Sequence, residues 1–598
     1  MRHARRLGRQ RARVLADRPH RLRSARSGAR RQLCSAGRAR RVRSAARGSR
    51  SPAGVRRRQG ECRERPAQRD DPHLRRGLRR QPERGVPHPR LEGSRCVDHR
   101  RRREAHPHAQ SVRGLTGPHV IPTITVDIGT TGVKLACFDA AGAVVSSTTV
   151  PTPTRRDAWG EIYDLDALDA AITAFVSDLD VRNEVRRIAI TGTGESGGLV
   201  RGDLTLASPM ILWHDHRGEA LLATLTDADR ERLYAITGLP ANPNYGLSKV
   251  AWALQHAGPD DRDAQWLNVA EYLAATWTGR RWAEYSLASR TMALDLERGT
   301  WSDEACALLD VPTSAFPALR PAADGVAVSA RTSRRWGLHR ETRVHVAGHD
   351  HMVGGVGADL HRGELLNSTG TTEGLLFLRD APRLDARAAS TKIANGISCD
   401  GSSFTLFASI PTGGSAFGTL HRLLGWDAAD LSSRIGHLYE RYIAGRVDLD
   451  AAPVVLPYFR GSPPPAKDAS ARGVIAGVGD ATTADDLIVG CFLGMVRQFA
   501  DVLGLFDEPV DRVKVIGPAA RNPLWLQLKA DLLGVPLTVA RFPQVVSRGA
   551  QAIASHLPGD WAAADTYEVD VDATRHARLQ EWLAADAIRW GAMKEIGA

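Results

Sequence analysis

Two short strings, Asp127-Ile-Gly-Thr-Thr-Gly-Val-Lys134 and Asn367-Ser-Thr-Gly-Thr-Thr-Glu-Gly374, hold residues suited to binding a polyphosphate. Each sets a Gly-Thr-Thr turn directly after a run that reads as a strand. Glycine and small hydroxyl residues in a tight turn let successive backbone N–H groups point into one concavity, which binds phosphate oxygens without steric obstruction. Read alone, each turn is an ordinary hairpin. Together, with Gly129 and Gly370 about a domain's length apart, they indicate two related halves closing on one nucleotide. The carboxylate of Asp127 beside the first turn strengthens that expectation.

Other reactive groups cluster in two strings, Trp213-His-Asp-His-Arg217 and Gly348-His-Asp-His351. The imidazoles His214, His216, His349 and His351 flank Asp215 and Asp350, and such a set could ligate zinc or manganese in a metal-dependent hydrolase. On a strand, however, residues i and i+2 share a face that the intervening Asp leaves, so the carboxylates would not join the imidazoles. Gly192-Thr-Gly194-Glu-Ser-Gly197 spells a GxGxxG string with Asp215 downstream. Leu199 to Asp203 continues as strand and turn, not as the helix that would hold a pyrophosphate, which argues against a dinucleotide site.

Composition divides the chain. Residues 1–118 contain 36 arginines, no lysine and only nine acidic residues, whereas the remainder carries 45 basic and 58 acidic residues. The formal charge of +14 therefore belongs to the leader. Lacking Ile, Phe, Tyr and Trp, the leader cannot bury enough apolar surface to offset its ordering entropy and is expected to be disordered. A basic tail of this kind could bind nucleic acid or an anionic surface, and a transit peptide would be shorter and amphipathic. The residues present are those of GC-rich codons, as when DNA upstream of the true start, or out of frame, is translated. That reading places initiation near Val120.

The remaining stretch, about 480 residues, exceeds one core and fits two domains. It has no apolar run of membrane-spanning length. Cys137, Cys306, Cys399 and Cys491 are widely spaced and read as buried reduced thiols, which points to the cytoplasm. Alternation predicts an antiparallel meander of strands at 124–128, 133–138 and 143–146, then a helix at 165–179 and a strand at 187–191. The stretch 227–277 reads as mostly helical. Strands at 364–368 and 374–378 and helices at 485–503 and 523–533 follow, so both halves mix sheet and helix.

Taken in order, DIGTTGVK (127–134), ILWHDHR (211–217), TWTGR (276–280), AGHDHMVGGVGA (347–358), STGTT (368–372), PTGGS (411–415), LPYFRGSPP (456–464) and IGPAARNPLWLQLKADLLGVPL (516–537) resemble the FGGY carbohydrate kinase family. The resemblance spans 121–554. It implies an α/β fold of two actin-like (ribonuclease-H-like) domains around a central cleft, at 121–360 and 361–590. It further implies ATP-dependent phosphorylation of a hydroxyl of a small sugar or polyol, with Asp350 as general base and Asp127 holding Mg2+. Gly129, Thr130, Thr131, Lys134, Gly370, Thr371, Thr372, Gly413, Gly414, Gly517 and Asn522 match the ATP-binding positions, although Lys134 reads equally as a solvated strand residue. Glu195, Ser196, Trp213, Asp215 and Arg217 match the substrate side. An arginine that precedes the Glu in glycerol-kinase relatives is replaced by Gly194.

On the nucleotide side, Gly517-Pro518-Ala519-Ala520 stands in place of a Gly-Gly-Gly run, and Gly461-Ser-Pro-Pro-Pro465 loses a charged Glu-Arg pair. These departures keep open a non-catalytic sugar- or nucleotide-binding regulator on the same fold. The implied partners of the folded body are a small acceptor and ATP, with no membrane and no nucleic acid, and a homo-oligomer stays open. Amino-terminal sequencing of the natively expressed protein should begin near Val120, and any peptide from residues 1–100 would contradict the assigned start.

Overall fold

The computed structural model describes residues 121–598 apart from 259, 260, 262 and 400, so the arginine-rich segment and its start site lie outside the described residues. Thr123–Ile128 is buried at every position because it lies mid-sheet. It pairs antiparallel with Gly132–Phe138 and parallel with Arg187–Gly192. Gly132–Phe138 pairs antiparallel with Val144–Pro151, whose Ser and Thr residues suit an exposed edge. Arg343–His349 adds in parallel beyond Arg187–Gly192, and Val326–Ala327 closes that side.

The second sheet repeats this order and polarity. Glu364–Thr369, Glu373–Arg379 and Phe404–Ile410 form an antiparallel meander. Arg512–Ile516 and Leu537–Ala540 then extend it in parallel from Glu364–Thr369, while Ala394–Ile397 and Thr566–Val569 lie at the edges. In both sheets the Gly-Thr-Thr turn joins the first two strands of the meander. The chain has thus built one α/β unit twice.

Helices Leu165–Ser177, Ala484–Leu503 and Pro523–Leu533 form where apolar periodicity predicts them. Side-chain caps fix their starts: Asp164 accepts the Ala167 N–H, Thr483 and Asp486 make a reciprocal capping box, and Asn522 accepts the Trp525 N–H. The stretch 227–277 departs from the expected mostly helical run. It contains three helices, Asp227–Thr237, Gly246–His256 and Val269–Thr278, interrupted by the strand Gln265–Asn268. Gly238 ends the first helix in the left-handed region, and Gln265–Asn268 pairs with Gly197–Val200. Sheet pairing there overrides local helical period. The same pairing keeps Gly197–Val200 a strand after the GxGxxG string.

A helix follows the last parallel strand of each sheet: Asp350–Gly357 after Arg343–His349, and Val545–Ser555 after Leu537–Ala540. These helices cross backbone to backbone. A Cβ on Gly357 would lie 2.1 Å from the Val545 carbonyl oxygen, and one on Gly549 would lie 2.1 Å from that of Val353. Val545–Ser555 also packs on strands of the first sheet, and Asp350–Gly357 on Glu373–Arg379 of the second. Met352, Val353, Leu366, Leu376, Ile516, Val545 and Ile553 make this seam a continuous buried core. Gly549→Ala should therefore cost about 1–3 kcal/mol by forcing the helices apart, read as a lower midpoint in urea unfolding. An unchanged midpoint would contradict the close crossing.

Candidate active site

Asp350 is the first residue of the helix Asp350–Gly357, directly after a strand whose end is pinned from several sides. Thr191 donates its hydroxyl to the Gly348 carbonyl at 2.8 Å. Ser286 Oγ accepts the His349 N–H at 2.9 Å and donates to buried Glu284 at 2.5 Å. Gly348 has φ of +118°, and a Cβ there would lie 2.3 Å from Ser286 Oγ, so a side chain fits neither the backbone nor the space. The Asp350 carboxylate accepts the His351 N–H at 2.7 Å and keeps 22% of its side-chain surface open to the cleft. Loss of surrounding water, with the charges of Asp127 and Glu195 nearby, raises its pKa to about 7.

Because the strand ends at His349, the expected alternation of His349, Asp350 and His351 along a strand does not occur. The two rings stack at 5.4 Å, and burial holds His349 well below the usual imidazole range and His351 at about 4. Both are neutral at physiological pH. His351 Nδ1 bonds Ser368 Oγ at 2.8 Å, tying the helix to the second sheet.

Asp127 is the penultimate residue of the first central strand, with only 2% of its surface exposed. Its register partner across the meander is Lys134, whose ammonium donates to Asp127 Oδ2 at 2.9 Å. The Asp127 charge raises the Lys134 pKa. Lys134 is thus occupied by the carboxylate, neither loose in solvent nor extended from the turn. Gly129 N–H closes the turn onto the Gly132 carbonyl at 3.1 Å. Thr130 lines the cleft and accepts the Trp213 indole N–H at 3.0 Å, while Thr131 is exposed.

The second turn is braced from beneath. Buried Lys529 donates to Asn367 Oδ1 and Glu373 Oε2, both at 2.7 Å. Gly413 and Gly414 direct their N–H groups onto the Thr371 and Gly370 carbonyls at 3.1 and 2.8 Å, and a Cβ on Gly413 would lie 2.5 Å from the Thr372 backbone. The helix Ser415–Leu424 starts there without a side-chain cap, its Ser415, Ala416 and Phe417 N–H groups bonding the Thr371, Gly413 and Gly414 carbonyls at 3.2, 3.0 and 3.2 Å, and the positive end of its dipole adjoins a cavity. That cavity, about 500 Å³, is lined by Gly370, Thr371, Ser415, Pro518, Ala519 and Asn522, among others. Gly517 has φ of +100° and crosses over Thr369, where a Cβ would lie 2.3 Å from the carbonyl. It shapes the loop from behind, whereas Pro518 and Ala519 supply the lining. The loop that departs from Gly-Gly-Gly therefore still encloses a pocket.

Thr130 and Thr372, one from each turn, line a single cleft of about 390 Å³ together with Asp350, Glu195, Trp213 and His349. Not every expected substrate residue reaches it. Ser196 is fully buried, and its Oγ accepts the Trp213 N–H at 2.9 Å. Asp215 and Arg217 turn inward as a buried ion cluster: Arg217 donates to Asp215 at 2.8 and 2.9 Å and to Asp157 at 3.0 Å. An ionic pair needs mutual satisfaction once water is removed, so these three residues hold the Trp213 loop in place and leave Trp213 itself to face the cleft. His214 and His216 meet Glu161 and Asn244. Among the described residues no group of three or more His, Cys, Asp or Glu side chains gathers to hold a metal, which removes the basis of the hydrolase reading.

Sequence reasoning missed Arg290, which lies in a turn with no motif around it. It is 2% exposed, pairs with Glu195 at 2.9 Å, and sits over the Tyr245 ring. Lys467, two residues beyond the altered Gly461–Pro465 element, was missed as well.

The sequence matches the FGGY family of carbohydrate kinases, N-terminal domain, over residues 123–357 and the C-terminal domain over 365–557. It is 25% identical to glycerol kinase of Gloeobacter violaceus, covering 73% of this chain and 88% of that one. It is also 25% identical to xylulose kinase of Bacillus subtilis, covering 72% and 87%. The fold is similar to that of gluconate kinase from Lactobacillus acidophilus, with a TM-score of 0.69 at 18% identity over 79% of this chain and 98% of that chain. With both family domains matched in order, the non-catalytic reading has no support. The chain belongs to the FGGY family of carbohydrate kinases, which phosphorylate a hydroxyl of a sugar or polyol with ATP.

Proposed function

We propose that ATP binds across the two Gly-Thr-Thr turns and that Asp350 takes the proton from the acceptor hydroxyl as its oxygen attacks the γ-phosphorus. The leaving group is ADP, and the products are the phosphate ester and the proton held by Asp350. The observation that carries this reading is the convergence of Thr130, Thr372 and Asp350 on one cleft whose second turn continues into a further cavity. Phosphoryl transfer needs chiefly positioning and charge stabilisation. In this reading the first half, 121–360, supplies the acceptor pocket, Asp127 and Asp350, while the second, 361–590, supplies the other phosphate turn and the adenosine pocket. Asn522 uses its oxygen as a helix cap, which leaves its amide nitrogen for the base.

Asp127 fits a role in holding Mg2+. It offers hard oxygen donors, and its charge opposes ionisation of Asp350, so a divalent cation would relieve repulsion between the two carboxylates. Few protein ligands suit an ion that keeps its waters and binds substrate phosphates. When bound, Mg2+ neutralises charge developing on the phosphates. Lys134 offsets the Asp127 charge in its absence. The four buried cysteines, three of whose thiols are pushed up to about 11 or 12 by burial, accord with a reducing, cytoplasmic setting.

Asp350→Asn should lower turnover by at least ~10²-fold while shifting the Kd for ATP less than about threefold; retained turnover would remove Asp350 from this role. The pH profile supplies a second check. A carboxyl raised to about 7 is protonated below that pH and cannot accept a proton. Acceptor kcat/KM should therefore fall about tenfold per pH unit below 7 and level off above it. A profile flat down to pH 5 would contradict the assignment.

A further inference from the structure

The acceptor cleft is not uniformly polar: one part of it is cationic. Arg290 reaches it from the first half with Nε and Nη2 bound to Glu195, both contacts at 2.9 Å. Its Nη1 is buried without a hydrogen-bond partner. Tyr245 packs its ring 5.0 Å from the guanidinium carbon and its hydroxyl approaches that group as a partner, yet Nη1 itself meets no acceptor in hydrogen-bond geometry. A buried guanidinium N–H left unpaired is costly, and this one belongs to a residue lining the cleft.

Lys467 lines the same cleft from the second half. Its loop is locked rather than loose. Ser462 N–H bonds the Asp468 carbonyl at 2.8 Å, Asp468 N–H bonds Ser462 Oγ at 2.9 Å, and Lys467 N–H bonds the Pro463 carbonyl at 3.0 Å. Lys392 secures the loop from outside through the Ala466 carbonyl at 2.8 Å. The Lys467 ammonium is half-buried beside Arg290, and burial together with that like charge lowers its pKa to about 8. Arg460, exposed on the same wall, adds a third cation.

The charges sort into two regions. Asp350 senses Asp127, Glu195 and Lys134, whereas Lys467 senses Arg290, Lys392 and Glu195. Glu195 is already neutralised by Arg290, and Asp468 spends Oδ1 on Ser470. Three cations therefore face the cleft with one committed partner between them, the Glu195 carboxylate on Arg290. A neutral polyol could accept from Arg290 Nη1 through a hydroxyl but would leave Lys467 and Arg460 without a counter-charge. A carboxylate would satisfy Arg290 Nη1 and Lys467 together, since guanidinium and ammonium groups make strong charge-assisted hydrogen bonds to it.

We infer that the acceptor is a sugar acid, an aldonate whose carboxylate docks between Arg290 and Lys467 while a hydroxyl at the far end of its chain meets Asp350. This rests on the kinase reading above and narrows its acceptor class. Lys467, on this account, determines specificity for the anion without touching the transferred phosphoryl group.

The test uses the full chain with Mg-ATP and follows ADP release with four- to six-carbon aldonates, the alditols and aldoses of the same skeletons, and the corresponding sugar phosphates. The best aldonate should exceed its alditol in kcat/KM by about tenfold or more, the equivalent of one charge-assisted contact. Lys467→Met should raise the aldonate KM by about tenfold with the ATP KM unchanged, and Lys467→Arg should restore most of it. Calorimetric titration with the same aldonate gives a readout independent of turnover. Aldonate binding that Lys467→Met abolishes, but with no ADP release, would uphold the anion pocket and overturn the kinase assignment. Turnover of alditols or ketoses at least as fast as aldonates, indifferent to Lys467→Met, would overturn the sugar-acid inference and leave the kinase reading intact. Preference for a sugar phosphate would overturn the carboxylate as the anion.

Discussion

The backbone contact between the helices at Gly357 and Gly549 is the constraint on which the rest of the active site depends. The helix that begins with Asp350 ends at this crossing. Its partner follows the corresponding strand of the second sheet and lies on strands of the first. Each half thus inserts a helix into the other's core, with Met352, Val353, Val545 and Ile553 filling the seam. Only glycine permits so close an approach, and the contact fixes Asp350 relative to both Gly-Thr-Thr turns. A change in the crossing would move Asp350 against Thr130 and Thr372 together. That is the geometry through which closure of a cleft can couple acceptor binding to phosphoryl transfer.

Duplication has been followed by a division of labour. Asp127 and Ser368 occupy equivalent places two residues before Gly129 and Gly370. In the first half that place holds a carboxylate paired with Lys134 across the sheet. In the second it holds a hydroxyl bonded to His351 on the helix carrying Asp350. The second turn takes its ionic support instead from below, through Lys529, Glu373 and Asn367. One turn therefore has a buried ion pair beside it and the other a hydroxyl bonded to an imidazole.

Much of this was legible in the residues. The first meander, the first two strands of the second, the Gly-Thr-Thr turns, and the helices at 165, 484 and 523 follow from local period, where sequence and tertiary structure agree, whereas the third strand of the second meander, Phe404–Ile410, was not foreseen. Asp350, Trp213 and Glu195 line the cleft as their motifs suggest, while Asp127 lies buried beside the first turn and paired with Lys134. Ser196, Asp215 and Arg217 do not line it, because a motif records which residues occur together and not whether they face a ligand or one another. Here their polar groups satisfy each other beneath the loop. Arg290 and Lys467 were invisible for the opposite reason. Each sits in an irregular segment, and they become neighbours only when the two halves fold together. The strand Gln265–Asn268 was hidden in a helical stretch because its partner, Gly197–Val200, lies far away in sequence.

The central claim is that the two Gly-Thr-Thr turns form one polyphosphate site. Hydrogen–deuterium exchange of the full chain, with and without Mg-ADP, tests it most directly. Joint protection of the amides at 129–132 and 370–374 is the predicted result. Protection of only one turn, or of neither at saturating nucleotide, would contradict it.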